Sequence, residues 1–282
     1  MVYRKSGVRF EPDQHEFTRI VEAYATGVFR DSFSTSAELQ TKVVKGLREL
    51  DSKPSPLEFR RLTQKPPLIW IADDDRAQSF GSSQDSLLEL HVLPMDHPGY
   101  SAREMDQFIE SLVSRVRGTE YIESGQALNL LRSQDHATVS IENGQHRVWD
   151  KPQTGRIREV RLYKTGQISV RSTLPRDQMG SILDPEALPK QLAEMLRFAG
   201  ALGIIEQGHI LVAAGVPSDG LISVDTFDPH RSRSRAQPLN FGRSVGMYRT
   251  EPDESVSLAA LGDGAHEVGS DLSRALFGRL RT

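Results

Sequence analysis

Between residues 158 and 172 the chain reads REVRLYKTGQISVRS, two runs of alternating apolar and polar residues around a K-T-G-Q turn. Strand side chains alternate faces with period two, so Val160 and Leu162 share an inward face opposite Ile168 and Val170, and the short turn makes the runs antiparallel neighbours. A parallel pair would need a crossover of about a dozen residues or more, for which this segment has no room. Residues 137–142 alternate in the same way ahead of the Asn143-Gly144 turn, and 86–95 read as a longer apolar strand. The stretch 68-LIWIA-72 is expected to be a further strand, and 209–216 with 221–227 another antiparallel pair.

Two amphipathic helices accompany these hairpins. In 101-SAREMDQFIESLVSRVRG-118, Ser101 and Glu104 form a capping box, Met105, Phe108, Ile109, Leu112, Val113 and Val116 make the apolar stripe, and Gly118 ends it. The second runs over about 185–205, with Asp184 as cap and Leu188, Leu192, Met195, Leu196, Ala199 and Leu202 on its buried face. A short helix at about 270–280 follows. The fold class expected for 66–282 is therefore α+β: a mostly antiparallel sheet covered by two long amphipathic helices, not a doubly wound parallel sheet.

The first fifty residues follow another pattern. Residues 2–10 read as a strand and 12–25 as a helix with Phe17, Ile20, Val21 and Tyr24 on one face; Thr35 and Glu38 then form a capping box before Leu39, Val43, Leu47 and Leu50. One strand cannot cover two such helices, so further strands, or a protein partner, are expected against residues 1–50. The stretch 51-DSKPSPLEFRRLTQKPP-67 carries four prolines and mixed charge, which places a boundary near residue 65. Two domains are expected, 1–65 and 66–282.

Composition removes several function classes. The 282 residues contain no cysteine, which excludes disulfides, thiol nucleophiles and thiolate zinc sites. A net charge of -3 gives no global attraction to nucleic acid or anionic lipid. No apolar run approaches the ~18 residues of a membrane span, and 1-MVYRKSGVRFEPD-13 has no secretory h-region, so a cytoplasmic location without membrane contact is expected. Neither G-x-x-x-x-G-K-[ST] nor G-x-G-x-x-G occurs, and no cofactor is expected.

The remaining chemistry lies in scattered polar residues. The triplet Asp73-Asp74-Asp75 follows a predicted strand and would suit Mg²⁺, but an acidic turn is the commoner reading and no second acidic cluster supports the metal. Glu89 with Asp135 or Glu142 comes nearest to the paired acids of a nuclease and lacks the lysine that chemistry needs. None of the eight histidines forms H-x-x-x-H; His91 and His209 fall in strands as structural residues, whereas His136 beside Asp135 forms a potential acid/base pair.

The most basic stretch is 228-DPHRSRSRAQPLNFGRS-244. In extended form it projects Arg231, Arg233 and Arg235 from one face, and with Arg243 these suit the phosphates of a nucleotide or nucleic acid. A solvated Arg/Ser loop is the bland alternative. Arg161, Tyr163 and Arg171, on the expected exposed face of the 158–172 hairpin, would extend that surface.

The order of V-Y-R-K at 2–5, the helix after it and 29-FRDSFSTSAEL-39 resembles the closing strand and helices of a TIR-like domain of unknown function from bacterial signalling and conflict proteins. The resemblance covers about the first fifty residues and carries no catalytic residue with it. It implies that residues 1–50 are a small Rossmann/TIR-like remnant whose remaining strands lie upstream. Residues 86–225, through 88-LELHVLPMD-96 and 192-LAEMLRFAGAL-202, more loosely resemble the region that follows Schlafen-type AlbA-like modules. Together these imply a non-catalytic regulatory or ligand-sensing module of a bacterial signalling or defence protein, with self-association through uncovered apolar faces. The alternatives are a nucleic-acid-binding protein using residues 230–243 and a hydrolase with a site around Asp135 and His136.

Overall fold

A computed structural model of the chain describes residues 2–5, 30–33, 35–36, 39–40, 56–73, 87–123, 125–142, 155–217, 222–228, 230 and 247–280. The chain divides into two compact units, Met1–Pro54 and Ser55–Thr282.

In the first unit, β1 (Val2–Lys5) pairs in parallel with β2 (Arg30–Phe33), Val2 opposite Arg30 and Lys5 opposite Phe33. Residue patterning supplied only one strand here; Arg30–Phe33 is the second. After it, the Leu39 amide donates to the Thr35 carbonyl at 3.0 Å, so a helical turn starts just past Thr35. Glu38, the expected partner in that capping box, lies outside the described residues.

The second unit is α+β and is built on a large antiparallel sheet. Its strands are β3 (Phe59–Arg61), β4 (Leu87–Pro94), β5 (Ala127–Arg132), β6 (His136–Glu142), β7 (Ile157–Tyr163) and β8 (Ile168–Thr173), with β11 (His209–Pro217), β13 (Met247–Arg249) and β14 (Glu254–Ser257). Their order is β3-β14-β11-β4-β8-β7-β6-β5, with β13 also on β11, and every pairing among them is antiparallel. The strand at Phe59–Arg61 joins this sheet from within the proline-rich stretch 51–67.

A separate small sheet holds β9 (Arg176–Asp177), β10 (Gly180–Leu183) and β12 (Ile222–Val224), with β10 and β12 parallel. This corrects the expected pairing of 209–216 with 221–227. Strand β11 spends its hydrogen bonds on β4, β13 and β14 instead.

Three long α-helices lie among the described residues of this unit, α1 (Ala102–Arg117), α2 (Leu188–Ala201) and α3 (Ala265–Leu280), with a 3-10 helix at Leu258–Leu261. The C-terminal helix is thus as long as α1, at 16 residues, and starts earlier than the short helix expected at about 270–280. The α1 capping box is formed, Glu104 donating its amide to Ser101 Oγ at 3.3 Å and Ser101 donating its own to Glu104 Oε2 at 2.8 Å. The Ser101 amide, with the Ser101 hydroxyl beside it, holds the exposed Glu104 carboxyl below its ordinary range. Asp184 caps the turn before α2, its Oδ1 accepting the amides of Glu186 and Ala187 at 2.9 and 3.3 Å.

Helix α3 meets α2 closely because Gly269 has no side chain: a Cβ there would sit 2.7 Å from the Pro189 carbonyl oxygen and 2.9 Å from the Ala193 nitrogen. Leu88, Leu90 and Val92 of β4, Val160 and Leu162 of β7, and Ile168 and Val170 of β8 form one core with Leu112, Leu192, Leu196 and Leu272 from the helices. The hairpin register is as read from the sequence, Val160 opposite Val170 and Leu162 opposite Ile168. Burying apolar faces of sheet and helix together drives this layering.

Candidate functional site

Period two puts Glu89 and His91 of β4 on the sheet face opposite Leu88, Leu90 and Val92. That face is buried as well, and Glu89 and His91 both have 0% exposure. Buried charges persist only when paired and hydrogen-bonded, and the register supplies the pairs: Glu89 lies opposite Arg171 and His91 opposite Ser169. Arg171 donates Nε and Nη2 to Glu89 Oε1 at 3.0 and 2.8 Å, and Nη1 to Glu159 Oε2 at 3.4 Å. Arg161 in turn bonds Glu159.

Burial by itself would raise the Glu89 pKa, but the hydrogen bond and electrostatic pull of His91, with the Arg171 guanidinium, outweigh it and hold the carboxyl below its ordinary value. Arg161, Tyr163 and Arg171 were expected on an exposed basic face; all three are buried. The two arginines neutralise Glu159 and Glu89, and Tyr163 is 1% exposed. They do not form a basic surface.

The ladder continues through His91. Its Nε2 lies 3.2 Å from Glu89 Oε2 and its Nδ1 2.7 Å from Ser169 Oγ, with Gln167 Nε2 3.3 Å from Nδ1 and 2.9 Å from Ser169 Oγ. A carboxylate oxygen accepts, so His91 Nε2 carries a proton toward Glu89 Oε2. Gln167 also clamps a separate segment: its Oε1 accepts the Ile69 amide at 3.0 Å and its Nε2 donates to the Ile69 carbonyl at 2.6 Å.

That clamp explains the fate of 68-LIWIA-72. One side-chain amide gives Ile69 the two bonds a neighbouring strand would otherwise provide, and the chain passes into a helical turn at Ile71–Asp73. Trp70 then packs edge-on to His91, ring centroids 4.4 Å apart, and against Gly215, where a Cβ would come within 2.6 Å of the indole. Arg249 stacks 4.6 Å from the Trp70 ring and pairs with Asp73 at 2.6 Å. Asp73 is thus an ion-pair partner; Asp74 and Asp75 lie outside the described residues.

Ile69 is also one wall of a cleft of about 720 Å³, lined further by His97, Pro98, Gly99, Tyr100, Ser133, Asp135, His136, Tyr163, Lys164 and Thr165. Three turns converge there, and backbone hydrogen bonds sew them together: the Tyr100 amide donates to the Lys164 carbonyl at 2.7 Å, and the Lys164 amide to the Asp135 carbonyl at 2.8 Å. Gly166 makes the turn possible, with φ +85 and no side chain to strike His97 Nδ1, which a Cβ would approach to 3.0 Å.

Within the cleft, Ser133, Asp135, Lys164 and Thr165 are exposed, His97 and His136 half-buried, and Tyr100 and Tyr163 buried. Burial raises the Tyr100 phenol pKa, against the pull of Arg115 and with Glu104 and Glu206 adding to it, so the hydroxyl stays protonated at neutral pH. The Gly99 amide donates to His97 Nδ1 at 2.9 Å, which leaves the proton of the neutral ring on Nε2. His97 is a donor to anything the cleft holds.

Of the residues singled out in the sequence, Asp135 and His136 are brought to this cleft; the His136 ring lies 5.3 Å from that of Tyr163. The Asp135 carboxylate makes no hydrogen bond or ion pair among the described residues, His136 included. Arg231, Arg233, Arg235 and Arg243 lie outside the described residues. No group of three His, Asp or Glu side chains suited to a metal ion occurs among the described residues, and none of their helices is long and apolar enough to cross a membrane. Sequence reasoning missed His97, Tyr100, Lys164 and Ile69, for which spacing gives no signal because they come from separate turns. No family model, curated protein or solved structure matches this chain.

Proposed function

We propose that the second unit is a non-catalytic ligand-sensing module and that the cleft between the 97–100, 133–136 and 163–165 turns is its binding site. The observation that carries this reading is the cleft's chemistry: a volume within the roughly 300–1,000 Å³ of small-molecule sites, lined by polar residues together with Ile69 and Pro98. A hydrolase centred on Asp135 and His136 is the weaker reading. The Asp135 carboxylate makes no hydrogen bond to the His136 ring, so the two do not form a carboxylate–imidazole pair, and His97 presents its N–H.

A sensor must transmit occupancy, and Ile69 offers a route. Ile69 lines the cleft while its backbone is gripped by Gln167, which in turn touches Ser169 and His91 in the buried ladder. A shift of Ile69 therefore changes hydrogen bonds at the centre of the sheet.

The first unit is read, with the TIR-like resemblance, as a Rossmann-type piece that the sensor serves in a bacterial signalling or defence protein. The parallel pairing of β1 with β2 supports that reading. Hydrogen–deuterium exchange with a metabolite library tests the site. Bound ligands should slow exchange at 97–100, 133–136 and 163–165 and leave the reaction mixture chemically unchanged. Turnover of a ligand, or protection confined to other segments, would refute the proposal.

A further inference from the structure

The charges in the cleft narrow what it takes. Lys164 and Asp135 are the formally charged residues among those lining it, one of each sign, on turns locked together by the 2.8 Å bond from the Lys164 amide to the Asp135 carbonyl. Although their backbones are that close, their side chains form no ion pair within 4.0 Å. Neither side chain forms an ion pair with another described residue, which leaves each charge to an opposite charge from outside.

A phosphate-bearing ligand would set its two negative charges against a single lysine with Asp135 alongside, and a polycation would meet the converse. A ligand carrying one positive and one negative group satisfies both. The His97 Nε2–H adds a donor for an anionic group, and the Ile69 and Pro98 wall offers apolar contact beyond the charged pair.

We propose that the cleft binds a free α-amino acid with an apolar side chain, its carboxylate against Lys164 and its ammonium against Asp135. This assignment rests on the cleft being the binding site. It implies discrimination by charge pattern: blocking either end of the ligand strands one protein charge beside a neutral group.

The test is a thermal-shift titration of the full chain with the proteinogenic L-amino acids, followed by calorimetry on the tightest binder, its amide and its N-acetyl derivative. The zwitterion is expected to bind about tenfold or more tighter than either blocked form. Asp135→Asn should erase the preference over the N-acetyl derivative, and Lys164→Gln the preference over the amide; both positions are exposed, so neither change disturbs the core. Equal binding of blocked and free forms overturns the assignment, as does the absence of a shift with every amino acid. Binding of ADP with protection at the three turns, and of no amino acid, would overturn it while leaving the cleft as the site. Protection of none of the turns by either class would remove both.

Discussion

Removing the Gln167 amide tests the link between the cleft wall and the sheet. Gln167→Ala deletes both bonds to the Ile69 backbone, at 3.0 and 2.6 Å, and the 2.9 Å bond to Ser169 Oγ, and leaves a void where the side chain was fully buried. Each polar group left unsatisfied costs about 1–3 kcal/mol when buried. Ile69 is only half-buried and regains some bonding to water, so the lower part of that range applies to it, and the total comes to about 3–5 kcal/mol. For a domain of 150–250 residues that corresponds to a fall in Tm of roughly 6–20 °C.

Differential scanning calorimetry reads the stability, and amide exchange at 69–72 reads where it was lost. Gln167→Met keeps most of the volume without the hydrogen bonds and should fall nearly as far as the alanine variant. A Gln167→Ala protein melting within about 2 °C of the parent would refute the reasoning. Full recovery by methionine would refute it as well, by assigning the effect to the void alone.

Two further outcomes follow from the buried ladder and the helix pair. Arg171→Met leaves Glu89 buried without the two guanidinium donors on its Oε1 and should cost about 3–5 kcal/mol by urea denaturation, with Glu89→Leu in the same chain restoring part of it. Because the Glu89 pKa is lowered in the fold, its ionised form contributes stability that is present above the ordinary value of 4.5 and is lost as pH falls through the lower folded value. Melting temperature should thus drop more steeply below that pH in the parent than in Glu89→Gln. Gly269→Val forces α3 away from the Pro189 carbonyl and the Ala193 amide nitrogen and should lower stability by about 1–3 kcal/mol, seen as a reduced urea midpoint with an unchanged slope.

The parts of the fold written in local patterns were legible. Val160, Leu162, Ile168 and Val170 fixed a hairpin register, and Ser101 with Glu104 fixed a helix start, because period and capping act over a few residues. Patterns that need a distant partner were not. The alternation Leu88-Glu89-Leu90-His91 says which side chains share a face, but not that the polar face is buried too; hence Arg161, Tyr163 and Arg171 were assigned to solvent. The apolar run at 68–72 has strand composition, yet its hydrogen bonds go to the side chain of Gln167, nearly a hundred positions away. Of the cleft, only Asp135 and His136 stood together in the sequence; Lys164, His97 and Tyr100 meet them through backbone bonds between loops.

The strand at Phe59–Arg61 pairs with Glu254–Ser257, which itself rests on β11. A ribosome makes the first of these long before the second, so the earliest strand of this sheet is also the last that can be stitched in. During synthesis Phe59 waits without its neighbour, and the sheet closes only once the region near residue 257 has emerged.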